Sequence, residues 1–81
     1  MNTKDRLEYA VLDMSKYLDK KWTHLAMDLD GEFWLYQGEP KFLDHWWMGS
    51  VDNDRLKLKL PYTGTAQDSL VDIKYVTGEF E

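Results

Sequence analysis

Glycine and proline interrupt this chain at Gly31, Gly38, Pro40, Gly49, Pro61 and Gly64, too often for a helical bundle after the first third. Before that, residues 4–20 carry a helical pattern. Leu7, Ala10, Val11, Met14, Tyr17, Leu18 and Lys21 recur at i, i+3, i+4 and i+7 spacing, with Asp5, Glu8, Asp13, Lys16 and Lys20 mostly opposite. Asn2 or Thr3 is placed to cap the helix, Asp5 suits its first turn, and Lys20 and Lys21 suit its last. Tyr9 and Leu12 fall off the stripe, so they widen the buried face or mark a second contact surface.

From Trp22 the apolar period becomes two. Trp22 to Asp28 and Glu32 to Gln37 read as strands around Asp30-Gly31, a pair suited to positive φ and so to a hairpin turn. Phe42 to Met48 reads as a third strand, with less regular alternation. Gly49 and residues 51–54 read as a turn. Arg55 to Leu60 alternates most cleanly, with Leu56, Leu58 and Leu60 on one side and Lys57 and Lys59 on the other. Residues 66–71 suit a short helical turn capped by Thr65, Asp72 to Thr77 suits a last strand, and Gly78 to Glu81 reads as a frayed end. The predicted architecture is α+β, one domain over residues 1–81. Its N-terminal amphipathic helix packs on a twisted antiparallel meander of three to five strands within residues 22–77.

A chain of 81 residues buries only about 60% of its unfolded surface, so its core has little to spare. Without cysteine it has neither disulfides nor thiolate zinc sites to help. Four Trp, five Tyr and three Phe are the visible compensation. The charged N-terminus has no apolar signal-peptide core, and no apolar run approaches membrane-helix length, so a cytoplasmic setting is expected. Net charge is −5, spread over both halves with no basic patch. Direct nucleic-acid binding and membrane binding are therefore not expected.

Trp22, the run Leu25-Ala26-Met27-Asp28-Leu29-Asp30-Gly31, then Trp34, Tyr36, Pro40, Trp46, Trp47 and Asp68-Ser69-Leu70 form a pattern. It resembles a loosely defined group of short, uncharacterised proteins encoded by bacteriophages and prophages. Members tend to show Trp, an aliphatic-Ala-x-Asp-x-Asp-Gly strand and turn, aromatics, Pro, a Trp-rich stretch and a closing Ser-Leu segment. The resemblance covers about two thirds of the chain. It departs in the added N-terminal helix and in Ala66-Gln67, where the group often has an aromatic. It implies a phage or prophage origin and a sheet-centred fold, and it implies no activity or functional residue.

No catalytic, cofactor or metal motif stands out, and the chain reads as a non-enzyme. Asp28-x-Asp30-Gly31-Glu32 looks like part of a calcium loop, but one acidic position is missing and Tyr36 and Gln37 replace the distal Glu, so a turn is the better reading. Asp44, His45 and His24 are the only candidates for a two-His-one-carboxylate site; strands one and three could bring them near, but nothing in their spacing demands it, and two partly exposed histidines on strand faces are the better reading. Ser15, Ser50 and Ser69 lack a nucleophile elbow.

The informative feature is aromatic. Neighbours in a strand face opposite sides, so one of Trp46 and Trp47 points in and the other out. If one helix covers one sheet face, the other carries Trp34, Tyr36 and one Trp of the pair, an aromatic, acid-rimmed surface suited to a host or phage protein or to a second copy of this chain. If the C-terminal segment covers that face, the same residues are core. Besides this protein–protein interaction reading, small size and acidity admit mimicry of DNA against a host defence or nucleic-acid-binding protein.

Overall fold

The computed structural model describes residues 3–44, 46–49 and 51–78. The fold is α+β. Helix α1 (Thr3–Met14) leads through one 3-10 turn (Ser15–Tyr17) into strands β1 (His24–Met27), β2 (Phe33–Gln37), β3 (Lys41–Leu43), β4 (Trp46–Met48) and β5 (Asp52–Leu56). A second 3-10 turn (Gln67–Ser69), a short β6 (Val71–Asp72) and helix α2 (Ile73–Thr77) complete it. Four strands form one sheet in the order β5-β2-β1-β6, and β3 and β4 form a separate two-stranded ribbon. All pairings are antiparallel.

Leu7 and Val11 of α1 are fully buried against Trp22, Leu25, Phe33, Leu35, Val71 and Ile73. Register explains the set. Leu25 lies opposite Leu35 and Val71, and Met27 opposite Phe33, so one sheet face meets the helix. Fully burying side chains of this size stabilises by roughly 1.5–3 kcal/mol each.

The helix is shorter than its periodicity predicts. The Ser15 hydroxyl donates to Leu12 O at 2.8 Å, and Leu18 is already extended. Tyr17 therefore leaves the stripe and is exposed, while Met14 and Leu18 still pack on the core. Lys21, expected in the last helical turn, reaches Asp52 at 3.0 Å instead. The cap expected at Asn2 lies outside the described residues. Thr3 Oγ accepts the Thr63 N–H at 2.8 Å, tying the helix start to the loop after Pro61.

Three strand predictions change. The single stretch Phe42–Met48 is two strands, because the chain reverses at Asp44, whose φ is 56°. The strand expected over Arg55–Leu60 runs from Asp52 to Leu56. Leu56 pairs with Phe33, the first residue of β2, so beyond it the partner ends and Leu58 stands exposed. The expected strand Asp72–Thr77 is mostly helix. The Asp72 side chain accepts the Tyr75 N–H and caps α2, and Gly78 at φ 73° terminates it. The frayed end predicted from Gly78 lies, from residue 79 onward, outside the described residues.

Asp28 to Glu32 forms the expected turn. Asp28 N–H donates to Glu32 O at 2.9 Å, Gly31 N–H to Asp28 O at 3.0 Å, and Glu32 N–H to Asp30 Oδ1 at 2.9 Å. Gly31 holds φ 86°, with open space where a Cβ would stand. Gly31→Ala is thus expected to cost about 1 kcal/mol through backbone conformation alone, read as a lower urea midpoint with unchanged slope.

Candidate functional site

The second face of the four-stranded sheet carries His24, Ala26, Trp34 and Tyr36, opposite the helix-facing residues of β1 and β2. That face is not open. Ala26 is fully buried and Tyr36 is 3% exposed. Gly49, just after β4, lies on the Tyr36 ring so closely that an added Cβ would sit 2.7 Å from it. Part of the cover is thus the chain that leaves the β3–β4 ribbon, an element the sequence pattern does not separate. Burial, then the charge of Asp28, pushes the Tyr36 phenol up to about 12.

The ribbon's own register sorts its aromatics. Phe42 lies opposite Trp47, Leu43 opposite Trp46 and Lys41 opposite Met48. Phe42 and Trp47 face inward, their rings meeting edge to face at 5.1 Å and 61°. Trp47 Nε1–H donates to Ala66 O at 3.0 Å, fastening the ribbon to the loop before the second 3-10 turn. On the outward side Leu43, Trp46 and Met48 are 40%, 47% and 51% exposed. They are cross-strand and i+2 neighbours, so they form one apolar surface. Exposed Val51 follows β4, and exposed Glu39, Lys41 and Asp44 flank the ribbon.

The candidate aromatics, with Trp34, Tyr36 and one of Trp46 and Trp47 expected together on one open face, are thus divided. Trp46 points outward, Trp47 is half-buried and inward, Tyr36 is buried, and Trp34 is half-buried between Ala26 and Arg55 on its neighbouring strands. The outward surface adds Leu43 and Met48, which sequence reasoning missed. Placing them needs the reversal at Asp44, and no glycine marks it.

Of the candidate acid/base trio, His24 and Asp44 lie apart. Asp44 sits exposed at the ribbon tip, and His45 lies outside the described residues. His24 Nε2 is 3.8 Å from Asp72 Oδ2, and its Nδ1 is 2.8 Å from Thr23 Oγ. A nucleophile, imidazole and carboxylate in sequence would suggest a triad. Thr23 Oγ, however, already accepts the Gly38 N–H at 2.8 Å and lies 3.4 Å from Tyr36 O, so it joins strand ends. Among the described residues no group of three or more His, Asp or Glu could hold a metal ion, and no helix is long and apolar enough to cross a membrane.

Asp28 follows β1 and opens the turn to β2. Its Oδ1 is buried with no hydrogen-bond partner. Burial raises its pKa above the usual carboxylate value, a backbone hydrogen bond from Trp47 opposes this, and the charge of Asp30 adds to it.

No family model, curated protein or solved structure matches the chain. The functional reading therefore rests on the geometry of the ribbon.

Proposed function

We propose that this chain is a small interaction module that binds a protein partner through the outward face of the β3–β4 ribbon, with Trp46 as anchor. The observation that carries the reading is the apolar trio Leu43, Trp46 and Met48, held outward by a ribbon whose other side is fastened to the domain. Tryptophan is enriched among residues that dominate binding energy, and a rigid support limits the ordering cost of docking. The resemblance of its sequence to phage and prophage proteins supports reading it as a phage accessory protein, with a host or phage protein, or a second copy, as partner.

Mimicry of DNA is less well supported. Lys21 pairs with Asp52 at 3.0 Å and Arg55 with Glu32 at 3.6 Å, so cations interrupt the acidic surface along β5. A mimic needs carboxylates spaced like phosphates.

Trp46→Ala is expected to change stability by no more than about 0.5 kcal/mol, as surface substitutions do. It is expected to weaken binding to the purified partner, first recovered from bacterial lysate, by on the order of 30-fold, as loss of a hot spot does. Undiminished affinity in folded Trp46→Ala and in Leu43→Ala/Met48→Ala would overturn the reading.

A further inference from the structure

We infer that the free edge of β5, with the residues that continue it to 59, takes up an extended segment of another protein in which acidic and apolar residues alternate. These residues are not those of the ribbon's outward face, and the edge can bind whether or not the ribbon does. Strand β5 is outermost in its sheet, and Asp52, Asn53, Asp54 and Arg55 are exposed in succession, so both of its faces are open. The phase of the ladder fixes which backbone groups point outward. Asp28 N–H donates to Glu32 O at 2.9 Å, so Ala26 with Trp34 and His24 with Tyr36 are the hydrogen-bonded pairs of β1 and β2. Phe33, Leu35 and Gln37 therefore bond on their other side, to Leu56, Asp54 and Asp52. Asn53 and Arg55 are left with N–H and C=O turned to the free edge. The Asn53 N–H is met by Asp52 Oδ1 at 2.9 Å, which leaves the Arg55 pair for a further strand.

Beyond Leu56 the chain keeps a strand's alternation without a strand's partner. Leu56, Leu58 and Leu60 alternate with Lys57 and Lys59, yet β2 begins at Phe33, opposite Leu56. Leu60 packs against the core, whereas Leu58 is 55% exposed. Beside it lies a shallow hollow of about 330 Å³ lined by Gly31, Glu32, Arg55, Lys57, Leu58 and Lys59, with room for a side chain of a docking segment.

Charge selects the occupant. The chain carries −5, yet this hollow is lined by three cations, Arg55, Lys57 and Lys59, against Glu32 alone, which Arg55 reaches at 3.6 Å. Among the described residues Lys57 and Lys59 pair with no carboxylate. Lysines at an edge turn away strands of like charge and attract an acidic one, whose main-chain bonds then add affinity. A second copy of this chain fits poorly. A twofold antiparallel pair sets odd positions against odd and even against even. Asp52 and Asp54 would then face each other or leucines, and Arg55, Lys57 and Lys59 would face each other or Asn53, with no opposite charges brought together. Acidic residues opposite Arg55 and Lys57, with apolar ones opposite Leu56 and Leu58, satisfy both rows.

The test is an amide NMR titration of the full chain with a synthetic peptide of alternating Glu and Val, blocked at both ends, and with its Lys-Val counterpart. The Glu-Val peptide is expected to shift the amides of residues 55–59 and to protect the Arg55 amide from hydrogen exchange, and the Lys-Val peptide to do neither. Lys57→Glu/Lys59→Glu alters exposed positions only, and it should weaken Glu-Val binding on the order of tenfold. A Glu bonded opposite Arg55 presents its own N–H to the edge, so a Glu-Val peptide methylated at its Glu nitrogens keeps its charge and should lose binding. No shifts at residues 55–59 with about 1 mM peptide would overturn the inference. So would shifts centred on Leu43, Trp46 and Met48, equal binding of the Lys-Val peptide, or undiminished binding in the double variant. Equal binding of the methylated peptide would reduce the contact to charge attraction and overturn strand addition.

Discussion

Trp47→Ala should destabilise the protein by about 3 kcal/mol, the lower end of what loss of a large aromatic from a packed site costs. Trp47 is only half-buried, which argues for the lower end. Two specific interactions raise the cost above area alone. The edge-to-face contact with Phe42 at 5.1 Å is worth about 0.5–1.5 kcal/mol beyond burial. The hydrogen bond from Nε1 to Ala66 O at 3.0 Å adds about 1 kcal/mol. Loosening the ribbon should also expose the Tyr36 ring that Gly49 covers. Urea unfolding gives the free energy, and near-ultraviolet circular dichroism reports the aromatic environment. Trp46→Ala, one residue away, is the control: the two tryptophans differ in which side of β4 they occupy, and only one should matter for stability. Equal costs for the two would mean that the ribbon is not held by its inner face.

The sequence made parts of this arrangement legible for identifiable reasons. Leu7, Val11 and Met14 reveal a helix face because a 3.6-residue period repeats along it, and Leu25, Phe33 and Leu35 reveal strands by alternation. Asp30-Gly31 reveals its turn because Gly31 must hold a positive φ. What was illegible depends on contacts between distant segments. Asp44 takes φ 56° without a glycine to announce it, so β3 and β4 read as one strand and the cover over Tyr36 went unseen. Leu58 and Leu60 look like strand residues, yet pairing stops at Leu56 because β2 begins at Phe33. Asp72 to Thr77 has β-branched character, but an aspartate cap and a terminal glycine outweigh weak strand propensity. The site was half legible. Strand alternation requires one of Trp46 and Trp47 to face out, but only the register shows that Trp46 does so, with Leu43 and Met48 beside it.

Ser69→Ala is the second substitution with a large expected effect, about 2–3 kcal/mol, although it removes a single oxygen atom. Strand β6 pairs with His24 and Leu25 but ends there, so the Met27 N–H further along β1 has no strand beside it. Ser69 Oγ accepts that N–H at 2.7 Å and donates its own proton to Ala66 O at 2.6 Å. The side chain is fully buried, so alanine would leave the Met27 amide without a partner and without water. Ser69→Thr keeps the hydroxyl but adds a methyl group where there is no exposed surface, and overpacking of about 1–3 kcal/mol is expected instead. Urea unfolding measures both, and loss of Met27 amide protection should occur in the alanine variant alone. Ser69 thus has a structural role at the edge of the strand it completes. Ala66 O also receives the Trp47 indole proton, so Ser69 and Trp47 meet at one acceptor. Trp47→Ala combined with Ser69→Ala should therefore cost less than the sum of the single changes, because each alone disturbs the same carbonyl. Strict additivity would show instead that ribbon and sheet are fastened independently.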